Sequence, residues 1–369
     1  MKKNQILFLV IVIYALVQPL GMSAVAEFNE IFFSETIDSA CSLTQIILNG
    51  SASTPDMRTC RIWRIEPGYV SIETMKALVE DLFSDEVLYA ENGTPLDENS
   101  LTYEYKENGN LCIYDLSIQT KQSPIASLYA TYCVDNSNIL WTLFGYNHML
   151  TNEELSLSSP ILILEALDTS LPNSRSNVAE AYQRAYPLAS EIAPTFALVK
   201  YGAIVKEPAS ENERQCVKEN GRLALPGLYI FAFTRTIDEI PCLYSYGNIN
   251  PKIDNETLLI AVGDESVEGI EYNGITNILE PMNNVSLMPY QEIYDCIKSI
   301  LSHMYDEKEK VEIVHINRIQ FGYIKDWHED TLIYTPAWGV YGFENDDRLQ
   351  DGGNCLLVLD AVTGNIIEN

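Results

Sequence analysis

Apolar residues recur at spacings of three and four in three stretches of the chain, and much of the rest alternates apolar with polar residues. Residues 71–84 place Ile72, Met75, Val79, Leu82 and Phe83 on one face behind a capping Ser71, which predicts an amphipathic helix. Residues 173–193 do the same with Val178, Ala181, Tyr182, Ala185 and Leu188. Pro187 removes a helical N–H, so a kink or an end is expected there. A third helix, with Ser286 and Pro289 near its start, carries Ile293, Ile297, Ile300, Leu301 and Met304 on one side.

Period-two runs read as strands. Residues 101–106 and 111–117 are joined by Glu107-Asn108-Gly109-Asn110, and 126–134 and 139–144 by Asp135-Asn136-Ser137-Asn138. Residues 59–66, 196–205 and 228–237 alternate as well, and 258–262 with 269–272 forms a further hairpin. In the strand that follows the third helix, strict alternation sets Ile313, His315, Asn317, Ile319, Phe321 and Tyr323 on one face. Glu312, Val314, Ile316, Arg318 and Gln320 then lie on the other. Pro336 cannot donate to a ladder, so the strand over 332–343 is expected at an edge or with a bulge. Thr363-Gly364-Asn365 turns a small closing hairpin. Residues 27–56 hold apolar groups without a sustained period and read as coil with short elements.

A helix followed by three or more antiparallel strands recurs along the chain. This predicts an α+β fold: antiparallel sheets, each packed by a helix, in tandem modules. Two domains are expected, over 27–170 and 171–369, with the last module at 286–369.

Residues 1–26 stand apart. Lys2 and Lys3 precede an apolar run over 6–20, and Ala24-Val25-Ala26 has the form of a cleavage site, so an export signal is expected. Membrane attachment follows only where that segment is retained, and Cys41 lies too far on to be a lipid-attachment site. The chain carries 52 acidic and 23 basic residues, a formal charge of −29, which repels phosphate backbones and excludes nucleic acid as a partner. Eight cysteines in an exported chain permit disulfides. Cys112 and Cys133, on neighbouring strand patterns, are the pair expected to face each other. Cys216 and Cys242 flank a strand and are a second candidate pair, and Cys296 and Cys355 read as buried thiols.

Several stretches carry a resemblance. YIFAFTRTIDEIPC (229–242), VEGIEYNGI (267–275), LMPYQEIYDCI (287–297), TLIYTPAWGVYG (331–342) and LLVLDAVTGNII occur in this order, after RIWRIEPGYVSIETMKALVEDLFSDEVLY (61–89). They resemble an uncharacterised family of exported proteins and lipoproteins of Gram-positive bacteria, known only as a domain of unknown function. The last helix, strand, PAW strand and hairpin also resemble PepSY-type modules and the YycH- and YycI-type regulators of a cell-wall sensor kinase. The resemblance implies an extracytoplasmic, non-catalytic domain that binds an envelope protein, such as a sensor kinase or a protease. It transfers no catalytic residue.

The residues themselves name no reaction. There is no H-E-x-x-H, C-x-x-C, G-x-S-x-G or S-x-x-K, and no glycine loop that would cradle phosphate; no cofactor or metal is expected. The aromatic cluster Tyr334, Pro336, Trp338 and Tyr341 is the candidate partner-binding surface, if its strand lies at an edge. The leading expectation is an exported binding protein without turnover that regulates or senses through protein contact at the cell envelope. The alternatives are a small-ligand or glycan-binding protein and an unrecognised hydrolase.

Overall fold

The computed structural model describes residues 28–38, 44–68, 88–90, 104–108, 111–120, 127–135, 138–147, 161–163, 176–204, 228–244, 256–263, 267–305, 311–328, 331–345 and 354–367. The expected export segment and the expected helix over 71–84 lie outside them. In chain order the strands are β1 (Phe28–Asp38), β2 (Gln45–Pro55), β3 (Thr59–Pro67), β4 (Leu88–Ala90), β5 (Glu104–Asn108), β6 (Leu111–Thr120), β7 (Ser127–Asp135), β8 (Asn138–Asn147) and β9 (Ile161–Ile163). Helix α1 (Val178–Ile192) follows, then β10 (Phe196–Ile204), β11 (Leu228–Ile237), β12 (Ile240–Pro241), β13 (Thr257–Val262), β14 (Val267–Asn273) and β15 (Thr276–Ser286). Helix α2 (Tyr290–Met304) and strands β16 (Ile313–His328), β17 (Thr331–Glu344) and β18 (Asn354–Asp360) are the last described elements.

Eighteen strands against two helices among the described residues make this a mostly β protein, which corrects the expected α+β class with helix-packed tandem modules. The reason lies in pairing over long sequence distances. Sheet A has seven strands, ordered β1-β2-β16-β17-β3-β15 with β18 also on β17. The sheet of the expected C-terminal module is therefore completed by strands from residues 28–67. Sheet B has eleven strands, ordered β4-β6-β7-β8-β14-β13-β11-β10-β9, with β12 on β11 and β5 on β6. Each sheet takes strands from both sides of residue 170. Most pairs are antiparallel, but β2 and β16 run parallel, so sheet A is mixed.

Two helices form where the apolar spacing predicts. In α2, Ile293, Ile297 and Leu301 are buried, with Ile300 and Met304 packed against the same core. Each such aliphatic side chain contributes roughly 1.5–3 kcal/mol when fully buried. In α1, Val178, Ala181, Ala185 and Leu188 are buried, and Tyr182 packs its ring 5.5 Å from that of Phe231 on sheet B. Asn177 and Glu180 cap its start reciprocally. Pro187 does not end this helix, which continues for another turn with Leu188 and Ala189 buried.

In β16 the expected two-face assignment is corrected by a bulge. Val314 and Ile316 share the α2-facing core with Ile319, Phe321 and Tyr323, because Asn317 is an extra residue in the ladder to β17. The bulge swings main-chain carbonyls toward both neighbours, and a glycine meets each one. A Cβ at Gly50 would lie 1.9 Å from the carbonyl oxygen of Asn317, and one at Gly342 would lie 2.0 Å from that of His315. Beyond the bulge the second face is covered too at β16, β17 and β18, where Ile324, Ala337, Tyr341 and Val358 form a second core with Leu243.

Strand β17 is interior, which corrects the edge expected at Pro336. It pairs with β16 on one side. On the other it pairs with β3 at Ile333 and Tyr334, then with β18 from Ala337 onward. Pro336 sits at the seam between β3 and β18. Its carbonyl accepts from the Ala361 N–H on that side, so its nitrogen faces the one place where the ladder needs no donor.

Candidate functional site

The aromatic cluster expected to recruit a partner is core. Tyr334, Pro336, Trp338 and Tyr341 are all buried, since the strand that carries them is flanked on both sides. Trp338 packs between Phe321 and Tyr290, with ring centroids at 5.3 and 5.5 Å. The expected Cys112–Cys133 disulfide falls on residues whose side chains lie outside the described ones; in the backbone register Cys112 is opposite Val134 and Cys133 opposite Ile113. Cys242 and Cys355 are free, buried thiols, and Cys296 is a free, half-buried one.

An acid–base cluster does form inside the molecule. Glu256, just before β13, is fully buried and accepts from Arg235 of β11 at both oxygens, with Nη2 at 2.8 Å from Oε1. Tyr272 of β14 donates to Oε1 at 2.6 Å and Tyr334 of β17 to Oε2 at 2.9 Å. Thr276 at the start of β15 donates its N–H to Oε1 and its hydroxyl to Oε2. Burial alone would raise the Glu256 pKa, but the hydrogen bonds and charge of Arg235, with help from Tyr272 and Thr276, hold it below the usual carboxylate range. Arg235 is completed by the Thr276 carbonyl and by the face of Phe196. This carboxylate has its acceptor sites filled by its own chain, across both sheets. That is the arrangement of a staple: a catalytic carboxylate needs an open side for substrate.

The open feature lies at the other end of sheet A. Among the described residues, strand β1 is terminal and pairs only with β2. Two of its residues turn toward α2: Phe33 is buried, with its ring 5.8 Å from that of Tyr294, and Glu35 lies 3.4 Å from Lys298. Alternation then forces Phe32 outward, where it is 77% exposed beside Glu30, Ser34 and Thr36. Next to Phe32, where the bulge opens the ladder, lies a cleft of about 380 Å³ lined by Phe32, Ser34, Asn49, Gly50, Ser51 and Asn317. Its lining is uncharged. The Oδ1 of Asn317 is buried there and accepts no hydrogen bond. Arg318 turns instead onto the ring of Tyr341, 4.0 Å from its centroid.

Among the described residues sheet A ends at β1, β15 and β18, and these edges differ; the far side of β18 is covered in part by the closing turn, where the Ile367 N–H donates to the Val358 carbonyl. Strand β15 is broken by Pro281 and by two register shifts against β3. Strand β1 keeps an uninterrupted register from Phe28↔Pro55 to Asp38↔Gln45 and contains no proline, lysine or arginine. Proteins blunt sheet edges with proline, bulges and charged side chains; β1 has neither proline nor bulge, and its charges are all acidic. Among the described residues, sheet B ends in short strands: β4 and β9 have three residues each, and β5, which shares the β6 edge with β4, has five.

The sequence carried a signal for this site that period counting passed over. In a strand with one buried face, adjacent Phe32 and Phe33 cannot both be inside.

No family model matches the chain, and no curated protein matches it. Among solved structures it is similar to an uncharacterized protein from Eubacterium rectale, with 12% sequence identity and a TM-score of 0.55. The likeness covers 88% of this chain and 91% of the other. It supports the fold alone.

Proposed function

We propose that the protein is an exported binding protein that acts at the cell envelope by docking a protein partner on the rim of sheet A, without turnover of its own. The observation that carries this reading is β1: a long, unbroken terminal strand with an outward Phe32, in a sheet whose opposite edge is blunted. The amino-terminal pattern of residues 1–26 and the acidity of the chain support placement outside the cytoplasm. The partner class is an envelope protein, such as a sensor kinase or a protease. Co-purification of the tagged protein from envelope fractions tests this. A partner should be lost with Phe32→Asp and kept with Trp327→Asp, a second exposed aromatic far along β16. A partner insensitive to Phe32 overturns the reading.

A second reading rests on the cleft. An aromatic wall, two hydroxyls and two amides suit a small neutral polyol such as a sugar. A saccharide that shifts the melting temperature of the wild type, but not of Asn317→Leu, would favour it over the protein partner.

A further inference from the structure

We infer that the partner of β1 is an extended segment in which basic residues alternate with apolar ones, added to sheet A as a further strand. This rests on the reading of β1 as a docking rim and names what that rim takes. A strand added at a sheet edge gains main-chain hydrogen bonds whatever its sequence, so selectivity comes from side chains across the new ladder. On the outer face of β1 those are Glu30, Phe32, Ser34 and Thr36. The outer face presents Glu30 and calls for bases on that side of an added strand, while Phe33 and Ile37 pack into the core from the inner face and call for apolar residues on the other side, which is an alternating pattern. Strand β1 holds Glu30, Glu35 and Asp38 and no basic residue, in a chain of net charge −29. The same charges argue against a second copy as the occupant. Two copies joined through β1 would bring only acids into one ladder, and like charges across a ladder destabilise it.

The test uses the full chain and three synthetic peptides: lysine alternating with valine, glutamate alternating with valine, and the lysine peptide interrupted by proline. Hydrogen exchange of the amides over 28–38 is the readout. The lysine–valine peptide is expected to slow exchange there, with an effect that weakens as salt rises, while the proline-interrupted peptide has none. Glu30→Lys with Thr36→Lys should transfer the protection to the glutamate–valine peptide. Equal or stronger protection of the wild type by the glutamate peptide overturns the inference and leaves the rim reading standing. Absence of protection by any strand-forming peptide overturns both. Protection that appears without peptide and grows with protein concentration assigns the rim to a second copy and overturns the inference as well.

Discussion

The hydroxyl of Tyr334, in the middle of sheet A, donates to the carboxylate of Glu256 beside sheet B at 2.9 Å. Arg235 and Tyr272 reach the same carboxylate from sheet B, and Thr276 reaches it from sheet A. One buried anion therefore fixes the position of two sheets. Removing either member of a buried pair strands the other charge, so Glu256→Ala is expected to cost roughly 3–5 kcal/mol. Urea denaturation of the variant checks this. Replacing Tyr334 by Phe leaves the carboxylate its other donors and should cost about 1 kcal/mol.

Two glutamates set opposite pH dependences. Glu256 has a folded pKa below its ordinary value of 4.5, so its stabilising contribution is present above that value and is lost as pH falls through the folded pKa. Glu271 on β14 is pushed from 4.5 up to about 7, chiefly by burial, against the bond it accepts from Asn273. The folded state then holds a proton that the unfolded chain releases. Stability falls as pH rises from about 4.5 to about 7 and is level beyond. Glu271→Gln should abolish that decline, raising stability at pH 8 by of order 2 kcal/mol. Melting temperatures from pH 4 to 8 for wild type and variant test it.

Phe32 and Phe33 are neighbours with opposite fates. Phe33→Ala removes a ring from the core under α2 and should cost about 3 kcal/mol. Phe32→Ser alters an exposed position and should change stability by no more than ~0.5 kcal/mol while weakening partner capture. Paired thermal melts and pull-downs separate the two effects.

Gly50→Ala forces a methyl group against the main chain of Asn317. Relief requires the bulge to move, and a loss of about 1–3 kcal/mol is expected. The cleft should deform with it, so a ligand of the cleft would be lost together with the stability.

Cys60, Cys242 and Cys355 are buried, and burial raises all three thiols, that of Cys355 to about 12. The reactive thiolate is scarce at neutral pH, and reagent has no path to it. In native protein these three are expected to label only at the rate of unfolding, while half-buried Cys296 reacts before them. Mass spectrometry of alkylated peptides over time reads the order.

Local features of this fold are legible in the residues. The inner face of α2, the α1 stripe and the closing turn at Gly364 follow from spacing and from the need for a positive φ. What local spacing does not carry is partnership. Residues 28–55 show no sustained period because β1 and β2 sit where an aromatic faces outward and a bulge interrupts the next strand. Pro336 reads as an edge marker until β3 and β18 are known to meet beside it. Glu256 gave no motif at all: its donors come from strands that approach one another only in three dimensions. The glycines were the overlooked clue, since Gly50 and Gly342 inside strand-like runs mark close main-chain approach, and hence the bulge at Asn317.

The parallel seam between β2 and β16 also governs when this molecule can take shape. Thr44 at the entrance to β2 bonds to the carbonyl of Val311, 267 positions later. A ribosome delivering the chain from its amino end supplies β1 and β2 long before the strand that must lie against them. Until β16 emerges, that early hairpin has no sheet to join, and its apolar side stays open to solvent and to holdase chaperones. Assembly of sheet A is therefore a late event, completed only once the strands over 313–360 have been made.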